Sequence, residues 1–195
     1  VISEEDNNEI PYEDRKDWDM FWLVDPLDGT KEFIKREQDF TVNIALVEKG
    51  IPIWGVVLAP ARNWLYCGGT LEQTCKVEPG KSPVLLPFSG SLNRETVVAV
   101  RSKSHAKPEE DVVLKKYGVT DTVSMGSSLK FCLVAEGTAD LYFRAGPTWE
   151  WDTAAAHAVV LGADCDVTDD NKPLVYNKPS LKNDNGFLCV RNKLK

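Results

Sequence analysis

Apolar and polar positions along the chain fall into short strand-like runs, broken at a few places by helical spacing. Val1–Glu5 reads as the end of a strand, and the polar, acidic stretch Asp6–Asp19 as a surface loop. Met20–Val24 is a compact apolar run predicting a buried strand that stops at Asp25, and a helix is expected from about Thr30 to Arg36. Thr41–Val47 and Ile51–Leu58 flank Glu48-Lys49-Gly50 and predict a hairpin. Asn63–Cys67 and Gln73–Val77 predict a second hairpin, turning at Gly68-Gly69-Thr70. Pro79–Asn93, rich in Pro, Gly and Ser, reads as a linker. Beyond it, Glu95–Arg101 predicts a strand and Ser128–Glu136 a helix stopped by Gly137. Asp140–Arg144 predicts a strand, Asp152–Leu161 an Ala-rich helix ended by Gly162, and Asp164–Thr168 and Gly186–Arg191 closing strands. Strands mixed with separated helices, without regular alternation, predict a layered α/β (α+β) fold. The linker divides it into lobes 1–93 and 94–195.

With 195 residues, the chain suffices for one domain with a sizeable core or two small lobes sharing one. Its apolar fraction of 43% is ordinary for a globular protein, and its formal charge of −7 argues against a general nucleic-acid surface. Local cations can still invert that field for a phosphorylated substrate. Five scattered cysteines with no Cys-x-x-Cys pair read as reduced thiols of a cytoplasmic protein. No apolar run approaches membrane length and no signal-like segment opens the chain, so no membrane insertion is expected.

The most informative chemistry lies at Asp25-Pro26-Leu27-Asp28-Gly29-Thr30, where strand gives way to helix. Two carboxylates three residues apart at such a corner can face one point, and Pro26 stiffens the bend between them. Gly29 permits close backbone approach, and the starting helix offers unpaired N–H groups to an anion. Carboxylates for hard cations beside amides for phosphate suggest a magnesium-dependent phosphoester site. Taken alone, the motif reads more simply as an acidic turn in which Asp28 caps a helix. Asp152, at the start of its helix, likewise reads as a cap, and Ser3-Glu4-Glu5 as a solvated acidic run, with Glu4 pointing inward beside Ile2 if the strand alternates.

Together, Asp25–Thr30, Trp151-Asp-Thr-Ala-Ala155 and Ser3-Glu-Glu5 resemble the lithium-sensitive inositol monophosphatase superfamily. Within it the chain is most similar to the 3′(2′),5′-bisphosphate nucleotidases, through Trp22–Ile34, Phe40–Leu46 and Gly126–Gly137. These enzymes convert 3′-phosphoadenosine 5′-phosphate (PAP) to AMP. The resemblance spans essentially the whole chain. It implies an inositol-monophosphatase-like sugar-phosphatase fold of alternating helix and sheet layers, with the first helical layer, which precedes the Ser-Glu-Glu motif in relatives, missing here. An acidic residue that helps order a third metal and the attacking water would be missing with it, and apolar surface on one sheet face should be exposed.

The resemblance implies two or three Mg²⁺ ions, with Mn²⁺ as a substitute, on Glu4, Asp25, the Leu27 carbonyl, Asp28 and Asp152, with Asp25 bridging a pair. Glu4 and Thr30 would deprotonate and orient a water, and Gly29 and Thr30 would give N–H groups to the phosphate. Ser102, His105, Gly126 and Lys130 match positions lining the nucleotide pocket. From the residues alone, His105 reads as a solvated loop histidine and Lys130 as a solvated helix residue. Arg144 stands where inositol-specific relatives tend to carry an acidic residue, and suits an anion. Trp149 and Trp151 are either adenine-stacking or core aromatics. Ala156 replaces a glycine usual in relatives. The expected substrate is PAP, with its sulfated precursor PAPS as another; an inositol or sugar phosphatase and an inactive shortened form are the alternatives. Lithium inhibition and a link to sulfur assimilation follow from the resemblance, and a monomer or homodimer is expected.

Overall fold

The structure, a computed structural model, describes residues 1–6, 10–89, 95–103 and 107–194. In chain order the elements are β1 (Ile2–Ser3), α1 (Tyr12–Arg15), β2 (Met20–Asp28), α2 (Thr30–Ile34), β3 (Thr41–Glu48), β4 (Ile51–Ala59), β5 (Trp64–Gly69), β6 (Cys75–Val77) and β7 (Val84–Leu85). They continue as β8 (Val98–Ser102), α3 (Pro108–Lys116), β9 (Asp121–Met125), α4 (Leu129–Glu136), β10 (Leu141–Arg144), β11 (Thr148–Trp149) and α5 (Glu150–Leu161). The last are β12 (Cys165–Asp169), β13 (Lys172–Pro173), β14 (Lys182–Asn183) and β15 (Phe187–Arg191). β1 to β7 form one sheet in sequence order, parallel only between β1 and β2. A second sheet has the order β13-β12-β15-β10-β8-β9, and β11 pairs with β14.

Helices α4 and α5 lie between the two sheets, α5 against β2 to β5 and α4 against β8, β10 and β15, while α3 packs on β10. The small residues of α5 make this layer thin. A Cβ on Gly55 of β4 would stand 2.2 Å from the Ala155 carbonyl oxygen, so only glycine lets strand and helix approach this closely. Thr74 Oγ1 donates to the Val159 carbonyl at 3.1 Å and fixes the far end of α5. One apolar cluster, including Leu23, Val47, Val57, Phe131, Val134 and Val159, runs through both sheets and both helices.

The opposite face of the first sheet has no helical layer among the described residues. Val24, Val42, Ile44, Leu46, Trp54, Val56, Leu58 and Leu65 alternate with the buried set and are only half-buried there, and Trp22 is 39% exposed. Apolar surface on one sheet face was expected, and it lies here. The hairpin at Lys49-Gly50 forms with both residues at positive φ, 48° and 79°, as a primed turn requires.

Several elements differ from the sequence pattern. β2 does not stop at Val24 but continues to Asp28. The Pro79–Asn93 stretch contributes the edge strand β7 in its described part; residues 90–94 lie outside the description. The Asp6–Asp19 loop contains α1, anchored by buried Arg15, which donates to Asn177 Oδ1 at 2.7 Å and to the Lys178 carbonyl at 2.9 Å. α3 and β9 were not anticipated because neither shows an apolar stripe. α3 buries only Glu110 and Leu114, and β9 is a largely exposed edge. The readable signals for α3 were Pro108 at its start, acids in its first turn and lysines in its last.

Candidate active site

Residues three apart on a regular strand point to opposite faces. β2 breaks that rule at its C-terminal end. Asp25 pairs with Asn43 and Asp28 with Thr41, so two residues of β2 oppose a single residue of β3. This bulge brings both carboxylates to the face that Thr41 and Asn43 share, toward the helices. Asp25 is fully buried, and its Oδ1 accepts the Leu27 N–H at 2.9 Å. Asp28 accepts the Ser128 N–H at 2.7 Å and the Thr41 hydroxyl at 3.3 Å. Gly29, at φ 87°, turns the chain into α2, with Thr30 Oγ1 3.4 Å from the Leu27 carbonyl.

Asp152 occupies the third position of α5 rather than its cap. Its Oδ2 accepts the Trp149 N–H at 2.7 Å, so it serves the helix start while belonging to the acidic group. Glu4 follows β1, with its N–H on the Val24 carbonyl at 3.2 Å; the residue is exposed, and its carboxyl reaches Asp25. Burial, then repulsion by Asp28, Glu4 and Asp152, pushes Asp25 up to about 9. Burial and Asp28 push Asp152 up to about 7, and burial raises Asp28 despite Lys130 nearby.

Four carboxylates that oppose one another's ionisation lack positive charge. Asp25 Oδ2 is buried with no hydrogen-bond partner. A hard divalent cation, held by a few carboxylates and completed by water and phosphate, fits that deficit. Among the described residues, no three acidic, His or Cys side chains are grouped closely enough to hold a metal ion as they stand.

A cleft of about 290 Å³ opens beside these acids. Asp28, Gly29, Thr30 and Asp152 lie on its acidic side; Ser102, Gly126, Lys130 and Arg144 complete it. The structure thus brings together every described substrate residue expected from the sequence, while His105 lies outside the described residues. Asp25 and Glu4 are not among the residues that line the cleft. Lys130 is not a solvated helix residue. It is 5% exposed, and its Nζ donates to the Ser127 carbonyl at 2.5 Å. Burial, with Arg144 adding, holds it down at about 8. Phe131, Tyr142 and Phe187 form the apolar wall, with Phe131 and Phe187 stacked at 5.0 Å. Trp149 and Trp151 instead stack on each other at 4.9 Å, away from the cleft lining, and Trp151 joins the core.

The sequence reading gave no role to Thr41, Asn43, Ser127 or Ser128. Thr41 Oγ1 lies 2.8 Å from Ser128 Oγ, which donates to Asn43 Oδ1 at 2.8 Å, tying β3 to the start of α4 behind Asp28. The signal was available, because Thr41 and Asn43 occupy inward positions of a strand otherwise filled inward by Ala45 and Val47.

The chain matches the inositol monophosphatase family over residues 1–192. It is 49% identical over 180 residues to the 3′(2′),5′-bisphosphate nucleotidase CysQ of Shigella flexneri, covering 90% of this chain and 69% of that protein. The protein of the same name from Haemophilus influenzae is 38% identical over 180 residues, 91% of this chain and 66% of its own. The crystal structure of CysQ from Bacteroides thetaiotaomicron superposes with a TM-score of 0.86 at 39% identity, covering 98% of this chain and 76% of that one. An inositol monophosphatase from Anabaena, 22% identical with a TM-score of 0.73, shares the fold over 97% of this chain and 72% of its own. The family match over residues 1–192, with 49% identity to a relative covered over 69% of its length, places the chain in the inositol monophosphatase family.

Proposed function

We propose that the chain is a Mg²⁺-dependent phosphomonoesterase that removes the 3′-phosphate of PAP to give AMP and phosphate, with PAPS as a further substrate. The observation that carries this reading is the cleft itself, which is lined both by the carboxylates Asp28 and Asp152 and by the cations Lys130 and Arg144. A bisphosphate needs both, one for the reacting phosphate and one for the phosphate that stays. The nucleotidase names of its relatives point to the same substrate.

In this reading Glu4, Asp25, the Leu27 carbonyl, Asp28 and Asp152 would hold two or three Mg²⁺ ions, with Mn²⁺ as a substitute. Such ions, when bound, supply a water of lowered pKa and offset charge on the leaving oxygen. Glu4 accepts the proton of the attacking water, and Thr30 Oγ1 orients it. Backbone N–H groups of Gly29 and Thr30 hold the reacting phosphate. Lys130 and Arg144 bind the second phosphate as fixed cations, while Ser102, His105 and Gly126 face the nucleoside. The apolar wall of Phe131, Tyr142 and Phe187 excludes water from one side of the cleft.

The test is phosphate release from PAP, PAPS, inositol 1-phosphate and fructose 1,6-bisphosphate, with and without Mg²⁺. Release from PAP that requires the cation and exceeds release from the sugar phosphates is expected. Preference for inositol 1-phosphate, or release that ignores Mg²⁺, overturns the reading.

A further inference from the structure

We propose that Cys67 and Cys75 are a site of reversible oxidation, closing to a cross-strand disulfide by exchange with a small disulfide of the glutathione class. The two residues are direct partners in the β5–β6 ladder, and their sulfurs stand 3.6 Å apart as free thiols. Opposed residues of an antiparallel pair have Cα atoms about 4.5–5.5 Å apart, inside the roughly 4.4–6.8 Å that a disulfide spans. Closing the remaining gap takes side-chain rotation and no change of register.

The hairpin holds the pair in place. At Gly68, φ is 133° and a Cβ would meet Thr74 Cα at 2.5 Å, so the loop between the cysteines is drawn tight by a glycine that nothing larger replaces. Access follows from strand alternation. Neighbouring Tyr66 and Lys76 turn inward and both donate to Glu136 Oε1, at 2.6 and 2.7 Å, leaving Cys67 and Cys75 on the other face of the sheet in line with Val24, Ile44 and Val56. Both cysteines are half-buried, whereas Cys132, Cys165 and Cys189 are enclosed in the core. Burial, then the neighbouring Cys75, pushes the Cys67 thiol up to about 11, so exchange proceeds slowly from a small thiolate fraction.

The exchange balances in two steps. One cysteine loses its proton to solvent, and its sulfur attacks a sulfur of the glutathione disulfide, forming a mixed disulfide and expelling one glutathione thiolate. The second cysteine, deprotonated in turn, attacks the protein-bound sulfur, forming the internal bond and expelling the second glutathione. Two electrons pass to glutathione, and both released thiolates take up a proton. The bond ties down β6, the strand through which Lys76 reaches Glu136 at the end of α4.

Trypsin cleaves after Arg62 and Lys76, so one peptide, Asn63–Lys76, contains both cysteines and no other. The protein is held overnight in glutathione buffer set to an oxidising poise, alkylated with iodoacetamide, digested and weighed. The expected peptide carries no alkyl group, is lighter by two hydrogens, and becomes doubly alkylated after treatment with dithiothreitol. In Cys67→Ser the internal bond is lost and Cys75 carries glutathione instead. A wild-type peptide that is doubly alkylated, or that carries glutathione without the internal bond, overturns the proposal.

Discussion

Asp39 lies against Gly126 so closely that a Cβ on the glycine would stand 2.6 Å from the Cβ of the aspartate. The Gly126 N–H donates to Asp39 Oδ2 at 3.2 Å. Arg62 and Lys103 bind the same carboxylate, which is fully buried. Burial alone would raise its pKa, yet the bonds from Lys103 and Arg62 hold it below the usual range. Asp39 therefore pins the Gly126 side of the cleft to the segment behind Gly29, whose own Cβ would stand 3.2 Å from the Asp39 carbonyl oxygen.

That contact makes Gly126→Ala a steric probe of the cleft. The added methyl has no room unless the Gly126 segment moves outward, and overpacking of this kind costs about 1–3 kcal/mol. The expected result is a rise of about tenfold in KM for PAP with kcat changed much less, because the shift falls on the nucleotide side. Steady-state kinetics decide it; an unchanged KM would place the substrate elsewhere.

Asp25→Asn separates function from stability. Burial and the neighbouring acids already keep the Asp25 carboxyl protonated near neutral pH, so a neutral amide of the same shape should leave the thermal midpoint without divalent cation unchanged or slightly raised. Turnover of PAP should fall by at least ~100-fold, beyond the usual loss for an outer-shell partner of a metal site. The Mg²⁺-induced rise in midpoint expected for the wild type should also shrink. Wild-type turnover in this variant would remove Asp25 from the proposed metal set.

Much of this was legible in the sequence wherever local pattern and tertiary role coincide. The Thr41–Leu58 hairpin announced itself through apolar strands around Lys49-Gly50, and α4 and α5 through Ala-rich or Leu-rich spacing with Gly137 or Gly162 behind. The acidic corner was visible as a motif. Its geometry was not, since a bulge depends on the register against β3, which the partner strand sets rather than Pro26 alone. Lys130 taken alone reads as a solvated helix residue, and only the packing of α4 between sheets shows that its ammonium is enclosed. Asp39 escaped notice because its partners lie 23, 64 and 87 residues away.

Lys130→Met tests the cationic part of the cleft. Methionine keeps the length of the side chain and removes an ammonium whose burial is costly, so stability should hold or increase. A charge-assisted bond to phosphate contributes about 1.5–3 kcal/mol, so KM for PAP should rise by roughly 10- to 100-fold. A substrate with a single phosphate should be affected far less. Equal losses on both substrates would place Lys130 at the reacting phosphate instead.

His157 gives a pH dependence independent of the cleft acids. Its Nδ1 lies 2.9 Å from the Tyr176 hydroxyl, which donates to Thr153 Oγ1 at 3.2 Å; Thr153 in turn donates to the Glu150 carbonyl at 3.2 Å. That chain orders the first turn of α5, where Asp152 sits. Burial lowers His157 from 6.5 to about 3, so the folded state keeps it neutral while the unfolded chain takes up a proton below 6.5. The unfolded state then binds more protons, and stability falls as pH drops from 6.5 toward 3. At pH 5 the loss from this group is about 2 kcal/mol, from about 1.36 kcal/mol per pH interval. Urea midpoints at pH 7 and pH 5 measure it. His157→Gln, which retains a donor for Tyr176 and cannot titrate, should show a smaller drop between the two; an equal drop in both proteins would mean that His157 is protonated within the fold.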